Sequence, residues 1–184
     1  PMVRYTHGGF AIALENPEST IQNGVSGGNP VRLTTQDGRI PDLTARYLFK
    51  VSDATLGLAV LVREISVDQG GLDDRETGAG VSFSGKVPLG APDLRFMVTT
   101  GEGIGRYVAL NTAVDAAIDA NMTLDAVGIT AGYIAYRQPW SPKWRSTLTY
   151  SHLSVDNNVA ISGGGATKTV SSVSLNLLYS PAPK

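Results

Sequence analysis

The sequence contains no cysteine. That excludes a disulfide framework, a thiol nucleophile and any cysteine metal centre, and it fits export to an oxidising compartment without requiring it. Net charge is also nearly absent: the 184 residues carry a formal −1 at pH 7, without the basic footprint of a nucleic-acid binder. Long apolar runs are missing too. The longest, Leu56 to Val62, is broken by Gly57 and falls far short of the roughly 20 residues that a membrane helix needs. A helical membrane protein is thereby excluded, whereas a membrane barrel is not, because alternating strands escape hydropathy averages. Histidine is scarce: His7 falls in a turn and His152 near a strand end. With no HExxH, CxxC or GxSxG pattern, no catalytic residue, metal ligand or cofactor is assigned. Gly101, Gly103 and Gly105 imitate the start of a dinucleotide fingerprint, but Arg106 stands where the third glycine belongs, so a loop glycine cluster is the better reading. Asp68, Asp73, Asp74 and Glu76 do not have the spacing of a calcium loop and read as a solvated acidic loop.

What is present is alternation. From Asp42 to Glu64 the chain reads as two strands around a turn at Ser52, Asp53 and Ala54. Leu43, Ala45, Tyr47, Phe49 and Val51, then Leu56, Leu58, Val60 and Val62, share one parity, while Thr44, Arg46, Lys50 and Arg63 share the other. Arginines behind an apolar face suit a barrel strand with lipid outside and water inside. Similar strands are predicted at Val3 to Thr6, Phe10 to Leu14, Thr77 to Val87, Leu94 to Thr99, Val127 to Gln138 (parity blurred by small residues), Trp144 to Leu153 and Val173 to Tyr179.

The connections alternate as well. They are short at 7–9, 52–54, 88–92 and 139–143, and longer at 16–40, 67–75, 101–123 and 156–166. The stretch from Glu15 to Arg39 reads as loop rather than strand because of its prolines and glycines. Val67 to Asp74 reads as a second loop, and Thr112 to Asn121 as a short helix within a third. Tight turns at one rim and long loops at the other give an antiparallel up-and-down transmembrane β-barrel. Tyr47, Phe49, Tyr133, Tyr136, Trp140, Trp144 and Tyr179 fall toward the short turns as an aromatic girdle. No signal peptide opens the chain. Pro1, Met2 and Val3 read as mid-strand, and Pro181 to Lys184 as the start of a turn, so residues 1–184 read as one partial barrel domain cut at both ends, nine strands of a larger one.

Charge is segregated. Most acids fall in loops, whereas Arg4, Arg46, Lys50, Arg63, Lys86, Arg95, Arg137 and Arg145 fall on the polar parity of strands. A lumen lined by these cations would concentrate small anions; the alternative is that they pair with acids of infolded loops and brace the wall. Arg46 and Arg63 are expected to oppose each other across the central hairpin. Glu15 and Glu18 are candidates for counter-charges at a constriction.

The phrases FAIALENPEST at Phe10 to Thr20, SGKVPLGAPDLRF at Ser84 to Phe96, GEGIGRYVALN at Gly101 to Asn111 and AYRQPWSPKWRSTLTYSHL at Ala135 to Leu153 resemble the DcaP-like family of Gram-negative outer-membrane porins. The resemblance implies a single-chain barrel of about sixteen strands, assembly as a homotrimer, contact with the lipid bilayer and lipopolysaccharide, and passive uptake of small anionic solutes such as dicarboxylates. It makes Arg4, Arg46, Arg63, Arg95 and Arg145 plausible lumen residues. Two competing readings are a soluble β-sandwich or solenoid that binds carbohydrate, in which a second sheet would cover the apolar parity, and an outer-membrane hydrolase, for which neither histidine has a credible nucleophile and acid partner.

Overall fold

The computed structural model describes residues 2–26, 29–108 and 112–181. Pro1 and residues 182–184, on which the expectation of cut ends partly rests, lie outside them. Among the described residues the fold is all-β apart from two single-turn helices. Nine strands pair in chain order as one antiparallel meander: β1 (Met2–His7), β2 (Phe10–Glu15), β5 (Asp42–Val51), β6 (Ala54–Gln69), β7 (Leu72–Pro88), β8 (Asp93–Glu102), β11 (Gly128–Pro139), β12 (Trp144–Asp156) and β13 (Thr169–Tyr179). The sheet is open. Among the described residues β1 and β13 are its two edges, and no closed barrel is formed.

The long connections depart from the expected loops. Residues 15–39 contain β3 (Ser19–Ser26) and β4 (Asn29–Thr35). Their glycines and proline are accommodated by a register shift between Gln22 and Val25, where Gly24 has φ of 74°, and by placing Pro30 in the edge strand β4. The expected helix at 112–121 contains instead the strand β9 (Ala116–Ile118), preceded by the short helix α1 (Gly105–Val108) and followed by β10 (Leu124–Ala126). Alanine content misleads here because Ala116, Ala117 and Ile118 are all buried, and Ala116 and Ala117 pair on both sides. These four strands form a second sheet in the order β10-β9-β3-β4, in which β3 and β9 run parallel and so join the two excursions. The expected loop at 67–74 is a hairpin extension: β6 and β7 stay paired to Gln69 and Leu72 around Gly70 (φ 64°) and Gly71 (φ 86°), the two left-handed residues of a tight primed turn. The connection after β12 contains the helix α2 (Val159–Ser162), capped by Asn158.

The two faces of the large sheet differ as the alternation predicts. Val3, Tyr47, Leu58, Val60, Val62, Val81, Leu148, Val173, Leu175 and Leu177 lie exposed on one face. On the other face Leu61, Ile129 and Val155 join Ile104, Ala113, Val114 and Val127 in a buried cluster, and Ile65, Val67 and Leu72 join Ile21, Ala116, Ile118 and Leu124 in a second. The core thus lies between the second sheet and the polar face of the first. The parity of β11 is now fixed: Ile134 and Tyr136 face out, while Ile129 and Arg137 face in. Tyr133 shares the inward parity and leaves the proposed girdle. Of the others, Tyr47 stacks on Phe49 at 5.9 Å and Trp144 packs against Tyr179 at 4.6 Å.

The short turns are staggered. A row of paired residues runs Phe10, Tyr47, Leu58, Phe83, Val98, Gly132, His152. It starts at the short-turn end of β2 but meets β12 seven residues from its own last pair, Pro139 with Arg145. With ~3.3 Å per residue and ~4.8 Å between strands, seven residues over six strand steps correspond to a tilt of roughly 39°, within the range of closed barrels.

Candidate functional site

The inward face forms a concavity of about 580 Å³ that reaches from Met2 and Arg4 of β1 to Val170 of β13 and takes in Arg46, Ser82, Thr99 and Tyr133. One wall of it is the infolded unit, which contributes Ile104, Tyr107, Val108 and Thr112.

A buried charge cluster fastens that unit to the wall. Arg63 on β6 is only 3% exposed. Its Nη1 lies 2.8 Å from Asp115 Oδ1 and its Nε 3.3 Å from Asp42 Oδ2. Its guanidinium also donates to the carbonyls of Gly103 and Glu18 and to Ser19 Oγ. Asp115 is the hub on the other side. Its Oδ2 accepts from the Thr20 N–H at 2.8 Å and its Oδ1 from the Arg106 N–H at 2.9 Å, while its own N–H donates to Thr20 O at 2.7 Å. One carboxylate therefore holds β3, α1 and β6 together. Breaking such a buried pair from one side typically costs ~3–5 kcal/mol, because the remaining charge is left uncompensated.

Arg106 and Tyr107 complete the cluster from α1. Arg106 Nη1 donates to the carbonyls of Asn16 at 2.9 Å and Glu18 at 3.3 Å and lies 3.7 Å from Asp42 Oδ2. The guanidiniums of Arg63 and Arg106 sit 5.6 and 5.7 Å from the centre of the Tyr107 ring, within cation–π range. The Tyr107 hydroxyl donates to Asp42 Oδ2 at 2.8 Å, with Glu15 Oε2 at 3.4 Å. Burial, reinforced by that bond to the Asp42 carboxylate, holds the phenol well above its ordinary range. Gly103 makes the approach possible: it has φ of 67°, and a Cβ there would fall 2.3 Å from Ile65 Cδ1.

The residues singled out from sequence divide into distinct environments. Arg63 is consumed by the cluster and is not open to solute. It does not face Arg46, which pairs with Ala59; Arg63 follows next in register after Val62, level with Asp42. Arg95 and Arg137 share Asp93, with Nε–Oδ1 at 2.8 Å and Nη2–Oδ2 at 2.5 Å. Arg145 reaches Ser180 Oγ at 3.4 Å. Arg4, Arg46, Lys50 and Lys86 are exposed and, among the described residues, make no side-chain hydrogen bond or ion pair. Glu15 lines the concavity and its Oε1 accepts from Thr44 Oγ1 at 3.4 Å, whereas Glu18 contributes its backbone carbonyl. Sequence reasoning missed Asp42, Asp115, Arg106 and Tyr107. Asp42 was accessible to it: extending the 51–54 hairpin register places it beside Arg63. Of the acidic hairpin, the Asp74 carboxylate accepts from the Leu124 N–H (2.7 Å), and the Asp68 N–H donates to Asp37 of the β4–β5 connection (2.9 Å). Among the described residues no group of three metal-ligating side chains converges.

The fold is similar to that of a solved outer-membrane channel, DcaP of Acinetobacter baumannii, with a TM-score of 0.80 at 21% sequence identity; the match covers 99% of this chain and 52% of that one. The chain therefore spans about half the length of that channel. The likeness agrees, at the level of fold, with the porin resemblance of the sequence phrases. No protein-family model matches the chain, and no curated protein matches it.

Proposed function

We propose that this chain forms part of the wall, and the main constriction, of an outer-membrane diffusion channel for small anionic solutes such as carboxylates. The observation that carries the reading is which face is covered. The second sheet packs on the polar, inward parity and leaves the apolar parity bare even on inner strands, with Val60 51% and Val62 49% exposed beside Leu61 at 8% and Arg63 at 3%. A soluble sandwich would bury that face against another sheet, and so large an apolar surface is foreign to a soluble monomer; a bilayer covers it. The roughly 39° stagger supports the same conclusion, as does the fold shared with the DcaP channel. Pairing of β1 and β13 with further strands, into a ring of about sixteen, would satisfy edges that lipid does not tolerate. In the native setting, the outer membrane of a Gram-negative bacterium, the bare face would meet lipid and lipopolysaccharide, and the wall would assemble as a homotrimer.

In this reading the infolded sheet narrows the lumen, and the unpaired cations of the inward face, Arg4, Arg46 and Lys50 among them, favour anions. No chemistry, cofactor or metal is required. Osmotic swelling of liposomes containing the intact protein tests it: dicarboxylates should enter faster than neutral or cationic solutes of equal size. Liposomes that remain impermeable to all three classes would overturn the channel reading.

A further inference from the structure

The lumen cations are not spread evenly along the wall. Counted from the last paired residue at the short turn of each strand, Arg145 is that residue itself, Lys50 is one residue away, Lys86, Arg95 and Arg137 are two, and Arg4 is three. On strands tilted by roughly 39°, each residue advances ~2.6 Å along the barrel axis, so these six lie within about 8 Å of height. The stagger that displaces the turns in register brings the cations to one level. Facing them at that level are Asp93, buried between Arg95 and Arg137, and Asp53 in the exposed 52–53 turn. Arg63, by contrast, stands nine residues from the short turn of β6. There it and Arg106 are balanced by Asp42 and Asp115, with Glu15 beside them.

We infer that the charge selectivity of the pore is set by a cationic collar at its short-turn mouth, and that the infolded constriction sets size. The inference rests on the channel reading above and locates its selectivity. The fastening cluster, whose charges cancel, presents little net potential to a permeating ion and leaves Arg46 as the unpaired cation lining the concavity beside it. A ring of unpaired Arg4 and Lys50, supplemented by Arg145 and by the excess charge of Lys86, Arg95 and Arg137 over the Asp93 they surround, presents a positive potential inside low-dielectric walls. Small anions, carboxylates and phosphate esters among them, would concentrate at this mouth, and the effect would fade as salt screens it.

The test is the reversal potential of the intact protein in planar bilayers under a tenfold gradient of dilute potassium chloride, with and without the paired substitutions Lys50→Glu and Lys86→Glu. The expected result is a fall in the anion-to-cation permeability ratio of about threefold or more, with unitary conductance little changed. A ratio that stays the same while the variant still conducts overturns the collar and leaves the channel standing; absence of conductance from the unmodified protein overturns both. If the glutamate pair fails to insert, Lys50→Gln with Lys86→Gln decides: a smaller shift in the same direction supports the collar, and no shift overturns it.

Discussion

Replacing Asp115 by alanine should unfasten the infolded sheet while leaving the nine-stranded wall intact. The change strips the Thr20 and Arg106 N–H groups of their acceptor and leaves Arg63 with Asp42 as its sole carboxylate partner. Each buried donor left unsatisfied is worth ~1–3 kcal/mol, and opening a buried ion pair from one side ~3–5 kcal/mol. These losses share atoms and do not add, so we expect about 3–5 kcal/mol in total. The loss falls on the infolded unit because the wall keeps its ladder hydrogen bonds, whereas β3 meets β9 through only two register pairs, Ile21 with Ala116 and Gln22 with Ala117. Local opening would then be roughly a hundredfold or more easier. Hydrogen exchange of the intact protein in micelles should show amides 20–22 and 116–118 accelerating by that factor while β6–β8 amides hold. Single-channel records should become larger or noisier. Asp115→Asn keeps one acceptor oxygen and should fall between the two. Unchanged exchange and unchanged conductance in the alanine variant would refute the role assigned to the cluster.

Other expectations follow from face and charge. Leu58→Arg places a cation on the bare apolar face and should impair folding into lipid by about 2–4 kcal/mol if the position lies near the midplane. Ala59→Arg, one residue on and facing in, should be tolerated far better, and a lower urea stability of Ala59→Arg than of Leu58→Arg in vesicles would show the faces reversed. The raised Tyr107 phenol favours the protonated form in the folded state. Its contribution is therefore fully present below the ordinary phenol value of about 10 and is lost as pH rises beyond it. Alkaline titration should loosen the infolded unit, measured by exchange quenched from each pH, and Tyr107→Phe should flatten that part of the profile; a profile identical in both proteins would remove Tyr107 from the cluster.

The wall was legible because a strand with unlike faces announces its period: Leu56, Leu58, Val60 and Val62 against Arg63 needed no partner to be read. The second sheet was not. Its strands are short, their apolar residues (Ile21, Leu33, Ile118, Leu124) are separated by polar and small residues, and their burial comes from a surface supplied by distant parts of the chain. The same distance hid the charge cluster. Parity marks Arg63 as inward, but only tertiary structure brings Asp115 to within 2.8 Å of it and so turns a lumen cation into a fastening. The extension of β6 and β7 to Gly70 and Gly71 was hidden by its acids, which suggested a solvated loop, although Ile65, Val67 and Leu72 keep the inward parity throughout. The collar was half visible. Each of its cations stands next to a short turn in the sequence, yet their common height emerges only from the stagger of the paired strands.

The central claim is that the bare apolar face meets lipid and the charged face meets water in a conducting pore. It is tested most directly by reconstituting the intact protein in a planar bilayer and recording unitary currents under a salt gradient. Stepwise conductance with a reversal potential of the sign expected for anions is the predicted result. A protein that stays monodisperse without detergent and inserts no conductance would contradict it.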